Sequence, residues 1–436
     1  MSSPSGPHGP RITRRRFLTG TAALAAIPTL APLTGRVGEA FGITPAGAVG
    51  RNRLVVIFLG GGNDGFNTVI PMADADGTQR WSVYRQLRPT LRYEPDAVLA
   101  LDRPGDADRA LGLHPSLTRL HAMYQDGRVA IVQGADYPGH SFSHFDGTDF
   151  WQSGQPEITP DSGWLGRHLD RVGVGVGELR AVAVGNDLPL IFRGHDKQGV
   201  SIPGIPLQFA DGTAALGDAR HEALERFALH SPDEPLRQFE GQVMDATVDL
   251  TRSLELVTAP PVTSNALTNA LLTARVLLES EFGLECVFVS VGGYDTHVGQ
   301  RVLHQNLLTS LDTAVSTFLD GDASLNIPPM DPSVASETLV MTFSEFGRRP
   351  GENGGAGTDH GTAGPLFIVG PAGGRVVPGL HGEHPGTGTT LAPADNLVPT
   401  TDFRAVYQAV LQEWLFDPEP TYGDPLPGLL TPLPAP

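Results

Sequence analysis

The sequence predicts an α/β fold built on a mainly parallel sheet with helices against both faces. Three observations lead there: short unbroken apolar runs, longer segments between them with apolar residues three to four apart, and polar or glycine-rich clusters where the runs end. A strand covered on both faces reads as a continuous apolar run, and parallel strands need long crossovers that are usually helical. Arg53–Leu59 (RLVVIFL) is the first such run. Further strands are predicted at 129–132, 179–184, 286–291, 338–343 and 365–369. Leu117, Leu120 and Met123 mark a helix that stops at Gly127, and others are predicted at 265–281, 299–319 and 402–415. Residues 193–264 break the alternation with a Gly/Pro-rich stretch and a charged helix, which predicts an insertion lying over one sheet edge as a lid.

Composition narrows the function classes. With 436 residues, 40% of them hydrophobic, the chain can bury one large core, and residues 49–436 are read as a single domain. A net charge of −18, with one lysine (Lys197) among 30 cations, argues against nucleic acid or a polybasic membrane contact as partner. Cys286, the single cysteine, lies inside an apolar run and is expected in the core.

Residues 1–48 read as an export signal. Thr13-Arg14-Arg15-Arg16-Phe17-Leu18 leads into the small, apolar run 19–32, with Ala46-Gly47-Ala48 as a cleavage site. The paired arginines fit the twin-arginine route for folded proteins, and the run is too short for a stable membrane span. The expected location is periplasmic, cell-wall-associated or extracellular. Removing a segment with five arginines and one acid (Glu39) takes the net charge to −22. Folded export also fits the absence of disulfides.

Four strand ends carry chemistry, and in parallel sheets the carboxyl ends of strands are where ligand-binding groups collect. The first is Gly60-Gly61-Gly62-Asn63-Asp64-Gly65, whose glycines allow close backbone approach and whose Asp64 is a candidate metal ligand or helix cap. The second is His140-Ser141-Phe142-Ser143-His144-Phe145-Asp146. Ser143 with Asp146 three residues on is a helix start, so Ser143 is either a plain N-cap or a nucleophile at the positive end of a helix. The third, Gly293-Tyr294-Asp295-Thr296-His297, places an acid and an imidazole two apart, on one side of an extended chain. The fourth combines Ser344-Glu345-Phe346-Gly347-Arg348-Arg349 with Asp359-His360-Gly361, which immediately precedes the next strand. Carboxylate and imidazole together suit a transition metal, and Arg348 is a candidate anion clamp. His381 is a weaker ligand candidate in a loop. Trp151, Trp164 and Trp414 are expected in the core.

The runs LVVIFLGGGNDGFNTVIP, GGYDTH, FSEFGRR, GTDHG and TDFRAVYQAVLQEWL, with the Ser143-His144-Phe145 segment, resemble the bacterial family known as domain of unknown function 1501 across the mature chain. That family is grouped with the alkaline-phosphatase-like superfamily, which includes sulfatases. The resemblance implies that fold, hydrolysis of phosphate or sulfate esters with Ser143 as nucleophile, and a two-metal site. Its divalent ions would be zinc, manganese, calcium or iron, held by Asp64, Asp295, His297, Glu345, Asp359 and His360. Asn63, His144 and Arg348 would contact substrate, a small-molecule or polymer-borne ester. Two placements of the superfamily's Asp-His-Gly compete, Asp359-His360-Gly361 by motif and Glu345-Phe346-Gly347 by order. The second is preferred, and it puts Phe346 where a histidine ligand is expected. The rival reading is a non-catalytic protein that keeps the fold, with or without one metal, to bind a surface partner or glycan.

Overall fold

The computed structural model describes residues 52–431 apart from 75–78, 104–109, 156–159, 173–178, 205–253, 255–256, 281, 386–390 and 418. Strand β1, Arg53–Leu59, lies inside a nine-stranded sheet and sends alternate side chains to opposite cores. Val55, Ile57 and Leu59 join one cluster, Leu54 and Val56 the other, which is why its sequence shows no polar face. The other strands are β2 (Val129–Asp136), β3 (Ala181–Val184), β4 (Val200–Ile202), β5 (Cys286–Val291), β6 (Thr338–Phe343), β7 (Gly364–Val369), β8 (Gly379–His381) and β9 (Thr401–Asp402). Their order is β8-β2-β7-β6-β1-β5-β3-β4, with β9 also beside β2. Every pairing is parallel except those of β7, which runs antiparallel to β6 and β2. An antiparallel strand begins at the edge where its parallel neighbours end, so the segment entering β7 meets the loops leaving β1, β5 and β6.

Seven helices position the layers: α1 (Arg80–Leu87), α2 (Thr118–Gln125), α3 (His144–Ser153), α4 (Trp164–Val172), α5 (Ala266–Leu278), α6 (Gln300–Asp320) and α7 (Phe403–Ala409). Leu120, Leu271 and Leu311 from α2, α5 and α6 pack on one face of the sheet. Trp151 of α3, Trp164 of α4 and Tyr407 of α7 pack on the other. Trp151 stacks on Phe403 at 4.2 Å and Trp164 on Tyr407 at 4.3 Å, while Trp414 Nε1 donates to Arg53 O, so these three tryptophans are core residues. Cys286 is fully buried. Asn265 caps α5, its Oδ1 accepting from Leu267 N and Thr268 N, and α7 passes into one π-helical turn over Val410–Trp414.

Two boundaries differ from the sequence reading. Strand β2 continues to Asp136, through residues too polar and small to extend an apolar run, and β3 starts at Ala181. Strands β4, β8 and β9 are two to three residues long, too short to carry a pattern. The signal segment 1–48 and most of the lid expected within 193–264 lie outside the described residues. No helix among the described residues is long and apolar enough to cross a membrane.

Candidate metal centre

The loops leaving β1 and β6 are locked together first. Glu345 is buried, and its carboxylate accepts from Gly61 N at 2.8 and 3.1 Å and from Gly62 N at 3.2 Å. Ser344 Oγ donates to Leu59 O at 2.6 Å and accepts from Asn63 N at 2.9 Å. Gly61 and Gly62 have φ of +121° and +81°, and a Cβ on them would lie 2.3 Å from Asp295 N and 2.5 Å from the Phe346 ring. The glycine run is therefore required both by conformation and by the close approach of the β5 loop. Arg348, fully buried, pins the loops from β1, β5 and β6 to the segment leading into β7. It donates to the carbonyls of Gly61, Gly62, Tyr294 and Thr358 and to Asp295 Oδ1 at 2.7 Å.

Three imidazoles are then oriented in the same way. His144 Nδ1 donates to Glu345 Oε1 at 2.7 Å, His360 Nδ1 to Phe142 O at 2.9 Å, and His297 Nδ1 to Asp359 Oδ1 at 3.3 Å. With the proton on Nδ1, the tautomer that these three oxygens favour, each Nε2 presents a lone pair. Those lone pairs converge on Asp295. His297 Nε2 is 2.9 Å and His360 Nε2 3.1 Å from Asp295 Oδ1, and His144 Nε2 is 3.6 Å from Oδ2. The Nε2 atoms of His297 and His360 are 3.0 Å apart. One ligand atom each from His144, Asp295 and His360 all fall within 4.8 Å of one another. Four-coordinate zinc with bonds near 2.0–2.1 Å separates its ligand atoms by ~3.3 Å, which these distances bracket. The Arg348 guanidinium meets one side of this group, donating to Asp295 Oδ1 at 2.7 Å and lying 3.4 Å from His297 Nε2, and His144, His360 and Asp295 remain as a donor set that fits a divalent metal. Each imidazole also has the outer partner that metal-bound histidines usually have.

The electrostatics agree. Partial burial alone would raise the Asp295 pKa, but the hydrogen bond from Arg348, the contact with the His360 imidazole and the nearby charges hold it down to about 2. Burial lowers the His360 pKa, against the pull of Asp295 and Phe142 O, which favours the neutral ring a ligand must be. Asp359 is lowered mainly by the hydrogen bond from Asn353, with His297 adding to it. Behind the site, Asp136 accepts from Ala363 N at 2.6 Å and pairs with His140, fixing the loop whose Phe142 carbonyl orients His360. Phe142 and Ala363 both adopt positive φ there, as backbone held by its surroundings at functional sites often does. Phe346 packs its ring 4.9 Å from that of His144 and 4.5 Å from that of His360.

The residues singled out in the sequence thus separate. Asp295, His297 and His360 come together, and His144, expected to contact substrate, joins them. Asp359 and Glu345 meet the Nδ1 sides of His297 and His144 instead of facing the Nε2 cluster. Asp64 is displaced from the cluster: it is buried against the Arg88 guanidinium, which neutralises it, and the Gln300 amide. Burial raises its pKa, and the Arg88 charge and hydrogen bond overcome that and lower it. Asn63 is buried with Oδ1 accepting from His304 Nε2 at 2.9 Å, and Arg348 has no exposed face, so neither meets a substrate from solvent. Ser143 caps α3, its Oγ accepting from Asp146 N at 3.4 Å. His381 is turned to Val377 O. The role of His144 was available in the sequence only as a histidine at a helix start; the roles of Phe142 O and Asp136 left no signal.

Fold and site define an α/β protein with a histidine-rich candidate metal centre at the carboxyl edge of a mainly parallel sheet. The chain belongs to the family described as protein of unknown function DUF1501, which matches residues 51–425. No curated protein matches it. Among solved structures it is similar to the C-terminal periplasmic domain of EcEptC from Escherichia coli in complex with zinc, at 10% identity and a TM-score of 0.31, covering 76% of this chain and 77% of that one. A likeness at that level carries nothing about chemistry.

Proposed function

We propose that the protein is an exported, metal-dependent hydrolase of phosphate or sulfate esters with an alkaline-phosphatase-like fold. The observation that supports this most is the convergence of three Nε2 lone pairs on the half-exposed Asp295, open to a solvent-borne ligand. His144, His297, His360 and Asp295 would hold the ion. An imidazole-rich set suits zinc, and next manganese or iron, whereas calcium takes oxygen ligands. Such an ion supplies charge stabilisation for an ester oxyanion. Ser143 is the nucleophile: it precedes His144 in the chain, and the free amides of the first turn of α3 favour negative charge on its oxygen and on the group it attacks. Glu345, Asp359 and Phe142 O keep the imidazoles in the tautomer that leaves Nε2 free. Export by the twin-arginine route, to the periplasm, cell wall or medium, completes the reading.

One observation favours a second reading. Because Arg88 occupies Asp64, the two-ion clamp implied by the resemblance is reduced to one centre, as in a non-catalytic protein that binds a surface partner or glycan. Elemental analysis of the natively exported protein, followed by turnover of aryl phosphate and aryl sulfate by wild type and Ser143→Ala, separates them. The hydrolase reading expects about one ion per chain and turnover that Ser143→Ala abolishes. Bound ion without turnover selects the second reading, and absence of any ion together with no Ser143-dependent turnover overturns the hydrolase reading.

A further inference from the structure

Large apolar side chains left in water are not spread evenly over this molecule. Eight among the described residues are strongly exposed: Phe145, Val262, Val298, Val302, Leu303, Leu325, Val398 and Phe416. Four of the eight belong to two short segments that carry site histidines. Phe145, 86% exposed, follows His144 in the first turn of α3. Val298, 69% exposed, follows His297, and Val302 and Leu303 lie in the first turn of α6. That turn is fixed against the loop leading to Asp359, since Gly299 N and Gln300 N donate to Gly355 O and Ala356 O, both at 2.9 Å. Val298 and Leu303 flank the Gly299 cap at the positions of a hydrophobic staple, which gives them a local reason to be apolar. Phe145 and Val302 have no such reason, and a phenylalanine beside a polar metal centre is costly to leave in water unless something covers it.

We infer that the ligand of this centre is an ester with an apolar organic group, aryl or alkyl, which lies on Phe145 and Val302 while its anionic head faces His144, His297, His360 and Asp295. The inference rests on the metal-centre reading above and adds the ligand class to it. A small-molecule ligand is favoured over an anionic lipid surface because the exported chain, at a net charge of −22, is repelled by the many charges of such a bilayer, whereas a single anionic head is met locally by the ion of the proposed centre. An inorganic anion or a fully polar sugar ester would gain nothing from these side chains.

The test is calorimetric titration of the zinc-loaded, full-length exported protein with methyl-, propyl- and hexylphosphonate, which do not hydrolyse. Each methylene covered by the apolar flank should tighten binding about three- to fourfold, so the hexyl compound should bind at least tenfold more tightly than methyl. Phe145→Ser and Val302→Ser, both on the surface, should flatten the series and leave methylphosphonate affinity unchanged. A series with no chain-length dependence, or one untouched by both variants, overturns the apolar ligand class while leaving the metal centre standing. Failure of every phosphonate to bind overturns the anion-binding centre and this inference with it. Phosphatidylcholine vesicles that sediment with wild type but not with Phe145→Ser, together with a flat phosphonate series, would assign the flank to a lipid surface instead.

Discussion

Replacing Glu345 by glutamine separates the role given to it by the geometry from the role of a direct ligand. The substitution keeps volume and one carbonyl oxygen but removes charge and turns one acceptor into a donor. The native carboxylate uses both oxygens: Oε1 takes Gly61 N at 2.8 Å and His144 Nδ1 at 2.7 Å, and Oε2 takes Gly61 N at 3.1 Å and Gly62 N at 3.2 Å. A glutamine therefore either points its amide nitrogen at backbone N–H groups or offers a donor to His144 Nδ1. In the second case the proton moves to Nε2 and the ligand lone pair is lost. Loss of an outer partner of a metal-bound histidine typically weakens the metal by 10- to 100-fold, about 1.4–2.7 kcal/mol. Competition with a chromophoric chelator at pH 7.5 reads this directly, and urea unfolding of both chelated proteins removes any general destabilisation from the comparison. Zinc affinity within twofold of wild type in a folded Glu345→Gln protein would refute the assignment of Glu345 as the orienting group.

Three other outcomes follow from the same structure. Arg88→Met leaves the fully buried Asp64 carboxylate without its cation and should destabilise by about 3–5 kcal/mol in urea unfolding, whereas Arg88→Met with Asp64→Asn should recover most of that; equal loss in both would show that the pair is not what matters. Gly62→Ala places a Cβ 2.5 Å from the Phe346 ring at φ +81° and should cost at least about 1–3 kcal/mol together with zinc affinity, and unchanged stability would contradict the described loop. His168, buried between Asp417 at 2.9 Å and Glu285 at 3.3 Å, makes stability depend on pH. Burial alone would lower its pKa, but those two acids raise it, so its contribution is complete below the unfolded value near 6.5 and fades as pH climbs through the raised value. Asp417, held down to about 2 against burial by His168 and Arg171, contributes above 3.8 and loses that only as pH falls towards 2. Wild type should therefore unfold at a higher urea concentration at pH 5.5 than at pH 9, and His168→Gln should remove much of that difference; an unaltered pH profile in the variant would contradict this.

The sheet was legible because doubly covered strands leave unbroken apolar runs, as in Arg53–Leu59 and Thr338–Phe343. The direction of β7 was not, since an antiparallel strand inside two cores has the same composition as a parallel one. Residue types told where chemistry collects but not which cation balances each acid. Asp64 and Asp295 both follow strand ends, yet one is met by Arg88, 24 residues on, and the other by Arg348 and by imidazoles from three separate loops. His144 and His360 were brought together by the start of α3 and by the reversal of β7, both tertiary facts. Arg348 looked like an anion clamp because sequence does not report burial, and its guanidinium is spent on four carbonyls, Asp295 and a 3.4 Å contact with His297 Nε2.

The most direct test is a crystal structure of the zinc-soaked protein with anomalous data at the zinc edge. The account predicts a single strong peak about 2.0–2.1 Å from the Nε2 atoms of His144, His297 and His360, with Asp295 as the oxygen ligand. A peak on Asp64 and Glu345, or no peak at saturating zinc with His297 and His360 still 3.0 Å apart and sharing a proton, would contradict it.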